Sequence, residues 1–125
     1  MDNGKPTTEK ILTMMSANMG GKLPKSIELA GKIMPELVSE HASNNEFAMP
    51  KTDGAIDPET RTLIYLGIAL ATNSMACIEA MMNKAETQNI SKEKILETLK
   101  IARFAEATRV VGNAEIVFNH LQAQN

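Results

Sequence analysis

The chain is poor in the residue types that several functional classes need. Its 125 residues include one cysteine, one tyrosine and no tryptophan. A single cysteine excludes a disulfide within the chain and a zinc site built from several of its own thiolates. So few aromatic rings argue against base-stacking platforms, and a net charge of −2 provides no basic field for nucleic acid or anionic lipid. We therefore expect no nucleic-acid partner, no metal and no other cofactor.

Features of export or membrane insertion are also missing. The first residues carry no apolar run of the signal-peptide type, and the longest strongly apolar stretch, residues 63–71, is too short to cross a bilayer. With 43% hydrophobic and 22% charged residues, the composition is that of a globular protein. A chain of 13.6 kDa can bury about two-thirds of its unfolded surface. We expect a single domain over residues 1–125, located in the cytoplasm, with no membrane partner.

Helix-forming residues dominate, and no run alternates apolar with polar residues over a strand length, which predicts an all-α domain of about six helices. In the N-terminal part, residues 1–45, a first helix should begin at Thr7 or Thr8 and end near residue 18, where two glycines follow. A second segment, 24–41, should kink or split near Met34, because Pro35 has no N–H to donate. Turn-forming residues predict a loop over 42–55.

The second part of the chain, residues 55–121, carries stronger helix signals. Asp57 as a cap and Pro58 at the first helical position predict a helix over 58–71. This helix is apolar almost all round, which predicts burial on every side, in the centre of the domain, against another copy of the chain, or both. Capping residues then predict three further helices, over about 73–87, 92–106 and 108–122. The last two carry apolar stripes that should face inward.

Cys77 is the first candidate for chemistry. Its thiol falls in the first turn of the helix that should begin at residues 72–74, where unpaired N–H groups and the helix dipole favour a thiolate. No lysine or arginine lies within six residues of it, and Glu79 is close in sequence. A small buried hydrophobic residue is therefore the alternative interpretation.

Other ionisable residues give weaker signals. His41 and His120 show no metal-ligand spacing and lie near predicted helix ends, where a solvated or capping role is expected. Arg61, Arg103 and Arg109 are candidates for binding an anionic ligand, although solvated or ion-paired arginines are commoner.

Three consecutive segments of the second part carry a recognisable pattern. Residues 56–64, I-D-P-E-T-R-T-L-I, are similar to the motif L-D-x-K-T-R-E-L-I, and residues 69–81 are similar to A-x-x-x-C-x-x-C-x-x-x-H. Residues 84–99 are similar to the helix motif that follows. The ordered set resembles the carboxymuconolactone decarboxylase and alkylhydroperoxidase D-like (AhpD-like) superfamily over about half of the chain. The resemblance implies an all-α, AhpD-like fold and a homo-oligomer, often a trimer or hexamer.

The same resemblance implies a redox site made of two cysteines, a histidine and a glutamate. In such a site the cysteines form a disulfide while the other two residues relay protons and activate the thiol. Cys77 matches the second cysteine, but the first falls on Ser74, the histidine on Met81 and the glutamate on Thr62. Serine cannot form a disulfide and methionine cannot carry a proton, so three of the four functions are lost at these positions.

Three functional hypotheses remain. In the first, Cys77 alone attacks a peroxide and is restored by an external thiol reductant or by the partner subunit's Cys77, as a single-cysteine peroxidase or disulfide reductase. In the second, the chain is a non-catalytic oligomeric binding or interaction protein. In the third it is a decarboxylase or isomerase of a lactone or carboxylic acid, for which the candidate groups are Arg61, Arg103 and Arg109.

Overall fold

A computed structural model describes residues 6–52 and 54–124, and the regular secondary structure of this part of the chain is entirely α-helical. The all-α class is therefore confirmed. The described helices are seven, because the segment after residue 24 is divided at Pro35. They are α1 (Thr8–Asn18), α2 (Lys25–Ile33), α3 (Pro35–Ala48), α4 (Pro58–Ala71), α5 (Met75–Thr87), α6 (Lys92–Asn113) and α7 (Glu115–Ala123).

Local signals place most helix ends where the sequence predicts them. Thr7, Asp57 and Ser91 each accept a hydrogen bond from the backbone N–H three residues further on, at 3.2, 2.8 and 3.3 Å. These bonds satisfy N–H groups that have no acceptor inside the helix. Gly20 and Gly21 follow the end of α1 with φ values of +64° and +84°, which glycine adopts without strain.

Helix α3 is longer than expected, because residues 42–48, predicted as loop, are helical. The backbone N–H of Met49 donates to the carbonyl oxygen of Asn45 at 2.7 Å and closes the last turn. The asparagine side chains of this turn are exposed and do not interrupt the backbone bonds. Pro50 then prevents continuation. The loop that follows α3 thus begins later than predicted. Residue 53, which was part of the predicted loop, lies outside the described residues.

The boundary predicted between the last two helices is also wrong. The break expected near residue 107 does not occur, and α6 continues until the chain bends at Ala114. Thr108 was expected at the start of the last helix. Its hydroxyl instead donates to the carbonyl oxygen of Phe104 at 2.9 Å, so the polar side chain is satisfied inside a continuous helix.

Helix α4 packs against both α5 and α6 and contributes to the main buried cluster. That cluster consists of Leu66, Ala80 and Met81. Within a single chain α4 is not buried on every side, so burial by the domain alone is wrong, and contact of this helix with another copy stays a prediction. Ile64 and Ile68 are 46% and 58% exposed, because α5 and α6 cover only part of the helix.

Helices α1–α3 pack mainly against one another. They meet the second part along a seam, where Met19 contacts the buried cluster. The proposed division into an N-terminal part (1–45) and a core (55–121) stays a prediction. Across the described residues, every helix is too short or too polar to span a membrane. The cytoplasmic location likewise stays a prediction.

The C-terminal helices expose many apolar side chains. From residue 101 onward, eight are more than half exposed: Ile101, Phe104, Val110, Val111, Ile116, Val117, Phe118 and Leu121. The five in the range 110–121 other than Ile116 were expected to face inward. Within the described chain, the main packing partner of α7 is the end of α6. The inward orientation predicted for residues 110–121 is wrong for a single chain, because none of the other described helices covers this surface. We call residues 101–121 the apolar arm.

Replacing Asp57 with alanine should lower the thermal unfolding midpoint by several degrees, because the carboxylate caps α4 through the N–H and hydroxyl of Thr60. These bonds hold the pKa of Asp57 below its ordinary value of 3.8. The stabilisation is therefore full above that pH and is lost as the pH falls through the lowered pKa.

Ser74→Ala is the matched control, because the Ser74 side chain precedes α5 without making a capping hydrogen bond. Its midpoint should equal that of the wild type. Equal midpoints for the wild type and Asp57→Ala at neutral pH, measured by circular dichroism, would contradict the capping role. So would a difference that persists undiminished in strong acid.

Candidate functional site

Cys77 lies in the first turn of α5, as the sequence predicts. The first hydrogen bond within this helix runs from the N–H of Ile78 to the carbonyl oxygen of Ser74, at 2.9 Å. The three preceding N–H groups, including that of Cys77, find no backbone acceptor in the described chain, and the Ser74 side chain does not cap them. The thiol is therefore next to the positive end of α5.

The single tyrosine of the chain is in contact with this thiol. The hydroxyl oxygen of Tyr65, on α4, is 3.3 Å from the sulfur of Cys77. The hydrogen bond with the sulfur, then partial burial of the ring and the charge that the sulfur can carry, raise the pKa of Tyr65 to about 12. The phenol thus keeps its proton far above neutral pH and can donate to a thiolate. Cys77 is itself partly exposed.

Tyr65 is the candidate that sequence reasoning misses. It places one hydroxyl in the otherwise apolar run of α4, and a partly buried hydroxyl needs a hydrogen-bonding partner. That signal is present in the sequence. Its partner is twelve residues away on another helix, however, and the pairing depends on how α4 and α5 pack.

The three substituted motif positions make structural contacts. Thr62 is fully buried, and its hydroxyl oxygen lies 2.7 Å from Oε1 of Gln88 and 3.2 Å from the carbonyl oxygen of Pro58. Met81 is 8% exposed and belongs to the buried cluster. Ser74 occupies the position before α5 without capping it. Two of the three positions therefore contribute to packing, and none of them supplies a thiol, an imidazole or a carboxylate.

The two histidines are exposed, His41 on α3 and His120 on α7. This exposure agrees with the solvated role expected for them. In residues 6–52 and 54–124, no three side chains of histidine, cysteine, aspartate or glutamate come close enough together to hold a metal ion.

The three arginines have separate surroundings. Arg103 is exposed on α6, and Arg109 forms an ion pair of 2.9 Å with a glutamate of its own helix. Arg61 donates from Nε to the carbonyl oxygen of Ile56 at 2.8 Å and from Nη1 to that of Pro50. It thereby holds the loop before α4 instead of being a solvated cation. An anion site built from all three is not found.

Cavities of about 600, 630 and 250 Å³ open on the described surface, and Cys77 lines none of them. The first lies between the α1–α2 connection and α5, and the second lies between α1 and α3. The third lies in the seam between the N-terminal helices and α4–α5, beside Arg61. None of these three cavities of a single chain therefore gives a ligand direct contact with the thiol at the start of α5.

The comparison with protein families agrees with the sequence pattern. The profile of the carboxymuconolactone decarboxylase family matches residues 40–118. The matched region includes the end of α3, both helices that carry Tyr65 and Cys77, and all of α6. No curated protein matches the chain.

Replacing Tyr65 with phenylalanine should slow the alkylation of Cys77 at neutral pH several-fold, because the sulfur loses the hydroxyl that can donate a hydrogen bond to its anionic form. The rate of iodoacetamide modification, followed by mass spectrometry, measures the effect. Phe47→Leu, at an exposed position of α3, is the control and should leave the rate unchanged. Equal rates for Tyr65→Phe and the wild type would remove the proposed role of the hydroxyl.

Proposed function

The chain belongs to the carboxymuconolactone decarboxylase family, and we propose that it performs single-cysteine thiol chemistry at Cys77, of the thiol peroxidase or disulfide reductase type. The observation that carries this proposal is the 3.3 Å contact between the Cys77 sulfur and the Tyr65 hydroxyl at the uncapped start of α5. Hydrogen-bond donors and a helix start both favour a thiolate, which is the nucleophile in either reaction.

In the peroxidase reaction, the sulfur of Cys77 attacks one oxygen of a hydroperoxide and the O–O bond breaks. The sulfur is oxidised to a sulfenic acid, and the peroxide is reduced to an alcohol, or to water in the case of hydrogen peroxide, after taking up a proton. An external thiol then attacks the sulfenic acid, which releases water and leaves a mixed disulfide. A second external thiol displaces Cys77 as a free thiol and leaves as a disulfide with the first.

The need for an external thiol follows from the composition. With one cysteine in the chain, no second thiol of the same chain can resolve the sulfenic acid. The reductant is therefore a small or protein thiol, or the partner subunit's Cys77. We place the chemistry in the cytoplasm, where such thiols are kept reduced.

We further propose that the chain functions as a homo-oligomer in which the apolar arm packs on a second copy. The chain exposes 9448 Å² of surface, whereas a compact monomer of its mass exposes about 6,600 Å². The excess of roughly 2,800 Å² is of the size that obligate interfaces bury. The apolar side chains of the arm are exposed side by side, and a contiguous exposed apolar patch marks an interaction site. A trimer or hexamer matches the family resemblance.

A non-catalytic interaction protein is the second candidate. It is favoured by the burial of Thr62 and Met81, since both positions that match proton-relaying residues are used for packing. In that case Cys77 is a packing residue and the oligomer is the functional unit. A lactone decarboxylase has less support, because Arg61, Arg103 and Arg109 do not converge.

Wild-type protein treated with one equivalent of hydrogen peroxide should form a sulfenic acid that dimedone traps at one label per chain. Peroxide loss in an assay coupled to dithiothreitol should be abolished in Cys77→Ser. Mass spectrometry of the labelled peptide and the consumption of peroxide measure the two effects. If the wild type is not labelled, or removes peroxide no faster than Cys77→Ser, the redox proposal is wrong and the non-catalytic interpretation stands.

The variant Ser74→Cys tests the same intermediate in another way, because it restores the pair of cysteines at the family spacing. After one equivalent of peroxide, its titratable thiols should fall from two per chain to none, as the sulfenic acid condenses with the new thiol. The double variant Ser74→Cys/Cys77→Ser is the matched control and should keep its single thiol. Two remaining thiols in Ser74→Cys would argue against a reactive Cys77.

Sedimentation velocity at micromolar concentration should show an oligomer with the mass of three or six chains. Val111→Glu and Phe118→Glu place a charge at exposed apolar positions of the arm and should shift the protein to smaller species. Lys92→Glu, at the exposed start of α6, is the charge-change control and should sediment as the wild type does. A wild-type protein that sediments solely at 13.6 kDa contradicts the proposal.

A further inference from the structure

Of the three cavities, the smallest, of about 250 Å³, has the most strongly charged lining. We call it the basic pocket. Its cations are Lys51 in the loop after α3, Arg61 on α4 and Lys84 on α5, and no described aspartate or glutamate lines it. Three side-chain amides complete its polar lining: Asn18, Asn45 and Gln88. We propose that the basic pocket binds the phosphate group of a small ligand.

The first argument is charge. None of the ion pairs in the described chain involves Lys51, Arg61 or Lys84. Burial first, and then the charges of Arg61 and Lys51, lower the pKa of Lys84 below its ordinary value. Holding three cations together around one cavity is unfavourable unless an anion neutralises them. A bound dianion removes this repulsion.

The second argument is that two of the lining groups are already held in place. Arg61 is fixed by its hydrogen bonds to the carbonyl oxygens of Pro50 and Ile56. Gly54 leaves room for this position, because a Cβ there would lie 2.5 Å from Nη2 of Arg61. Groups held in position before the ligand arrives lose little freedom on binding.

Gln88 is oriented as well. Its Oε1 accepts the hydroxyl of Thr62 at 2.7 Å, which leaves the NH₂ group as the available part of the amide. The NH₂ group of Gln88, the two lysines and Arg61 therefore all present hydrogen-bond donors to the pocket. Thr62, which stands where the family pattern has a glutamate, thus acts as a positioning residue for the amide.

The third argument selects phosphate over a carboxylate. A carboxylate is bound best by two parallel N–H groups of a guanidinium, and Arg61 already uses Nε and Nη1 on backbone carbonyl oxygens. Lysine ammonium groups act as point charges that suit a phosphate, whose oxygens accept hydrogen bonds from several directions. The small volume admits a phosphate group and a short substituent, not a nucleotide.

The basic pocket is separate from the proposed thiol chemistry. Lys84 follows Cys77 on α5 by two helical turns, about 10 Å along the axis, with the buried Met81 between them. Phosphate binding therefore does not depend on the thiol, and Cys77→Ser should bind phosphate as the wild type does.

Isothermal titration calorimetry of the full-length chain at constant ionic strength tests the proposal, with inorganic phosphate, glycerol 1-phosphate and malonate as separate probes. Wild-type protein should bind phosphate saturably at one site per chain. Lys84→Met and Lys51→Met should each weaken binding at least about tenfold, because each removes a charged donor. Lys100→Met, at an exposed position of α6 outside the pocket, is the matched control and should bind as the wild type.

The probes distinguish the source of the phosphate. Equal affinity for phosphate and glycerol 1-phosphate indicates free phosphate, and tighter binding of the ester indicates a phosphorylated small molecule; both support the proposal. Lys51→Met, in an exposed loop, keeps the test decisive if Lys84→Met fails to fold. Absence of saturable phosphate binding by the wild type overturns the proposal. So does phosphate binding by both lysine variants with the affinity of the wild type. Malonate binding as tightly as phosphate overturns the choice of ligand.

Discussion

The packing of α4 against α5 positions both the thiol contact and a large part of the basic pocket. Consecutive turns of α4 contact different neighbours, and the contacts lie within six residues: Arg61 with the loop before the helix, Thr62 with Gln88, Tyr65 with Cys77, and Leu66 with the buried cluster. Because these side chains share one rigid element, a small rotation of α4 would disturb the thiol contact, the oriented amide and the core together. The thiol and the basic pocket therefore share one structural support.

Most of the fold follows from local signals. A cap such as Asp57 and a break such as Pro35 act within a few residues, so the helix starts and the division after α2 could be predicted. The two wrong boundaries arise where a turn-forming residue is satisfied inside a helix. Thr108 bonds back to its own helix, and the exposed side chain of Asn45 leaves the backbone bonds of α3 intact. The sequence indicates which residues favour a turn, but packing decides whether the turn forms.

The candidate site divides in the same way. The position of Cys77 in the first turn of α5 depends on local capping residues and could be predicted. Its contact with Tyr65 depends on the register between two helices, and the meeting of Lys51 with Lys84 depends on how a loop lies against α5. No spacing rule in one sequence contains this information. The substitutions at Thr62 and Met81 were visible in the sequence, but their use in hydrogen bonding and packing required coordinates.

The isolation of one aromatic hydroxyl has a practical consequence. With no tryptophan in the chain, near-ultraviolet emission arises essentially from a single phenol, and that phenol touches the sulfur. Ionisation or oxygenation of the sulfur changes the immediate electronic surroundings of the emitting ring. The protein therefore carries an intrinsic fluorophore that reports on its own cysteine, and the state of that cysteine can be followed without any attached dye.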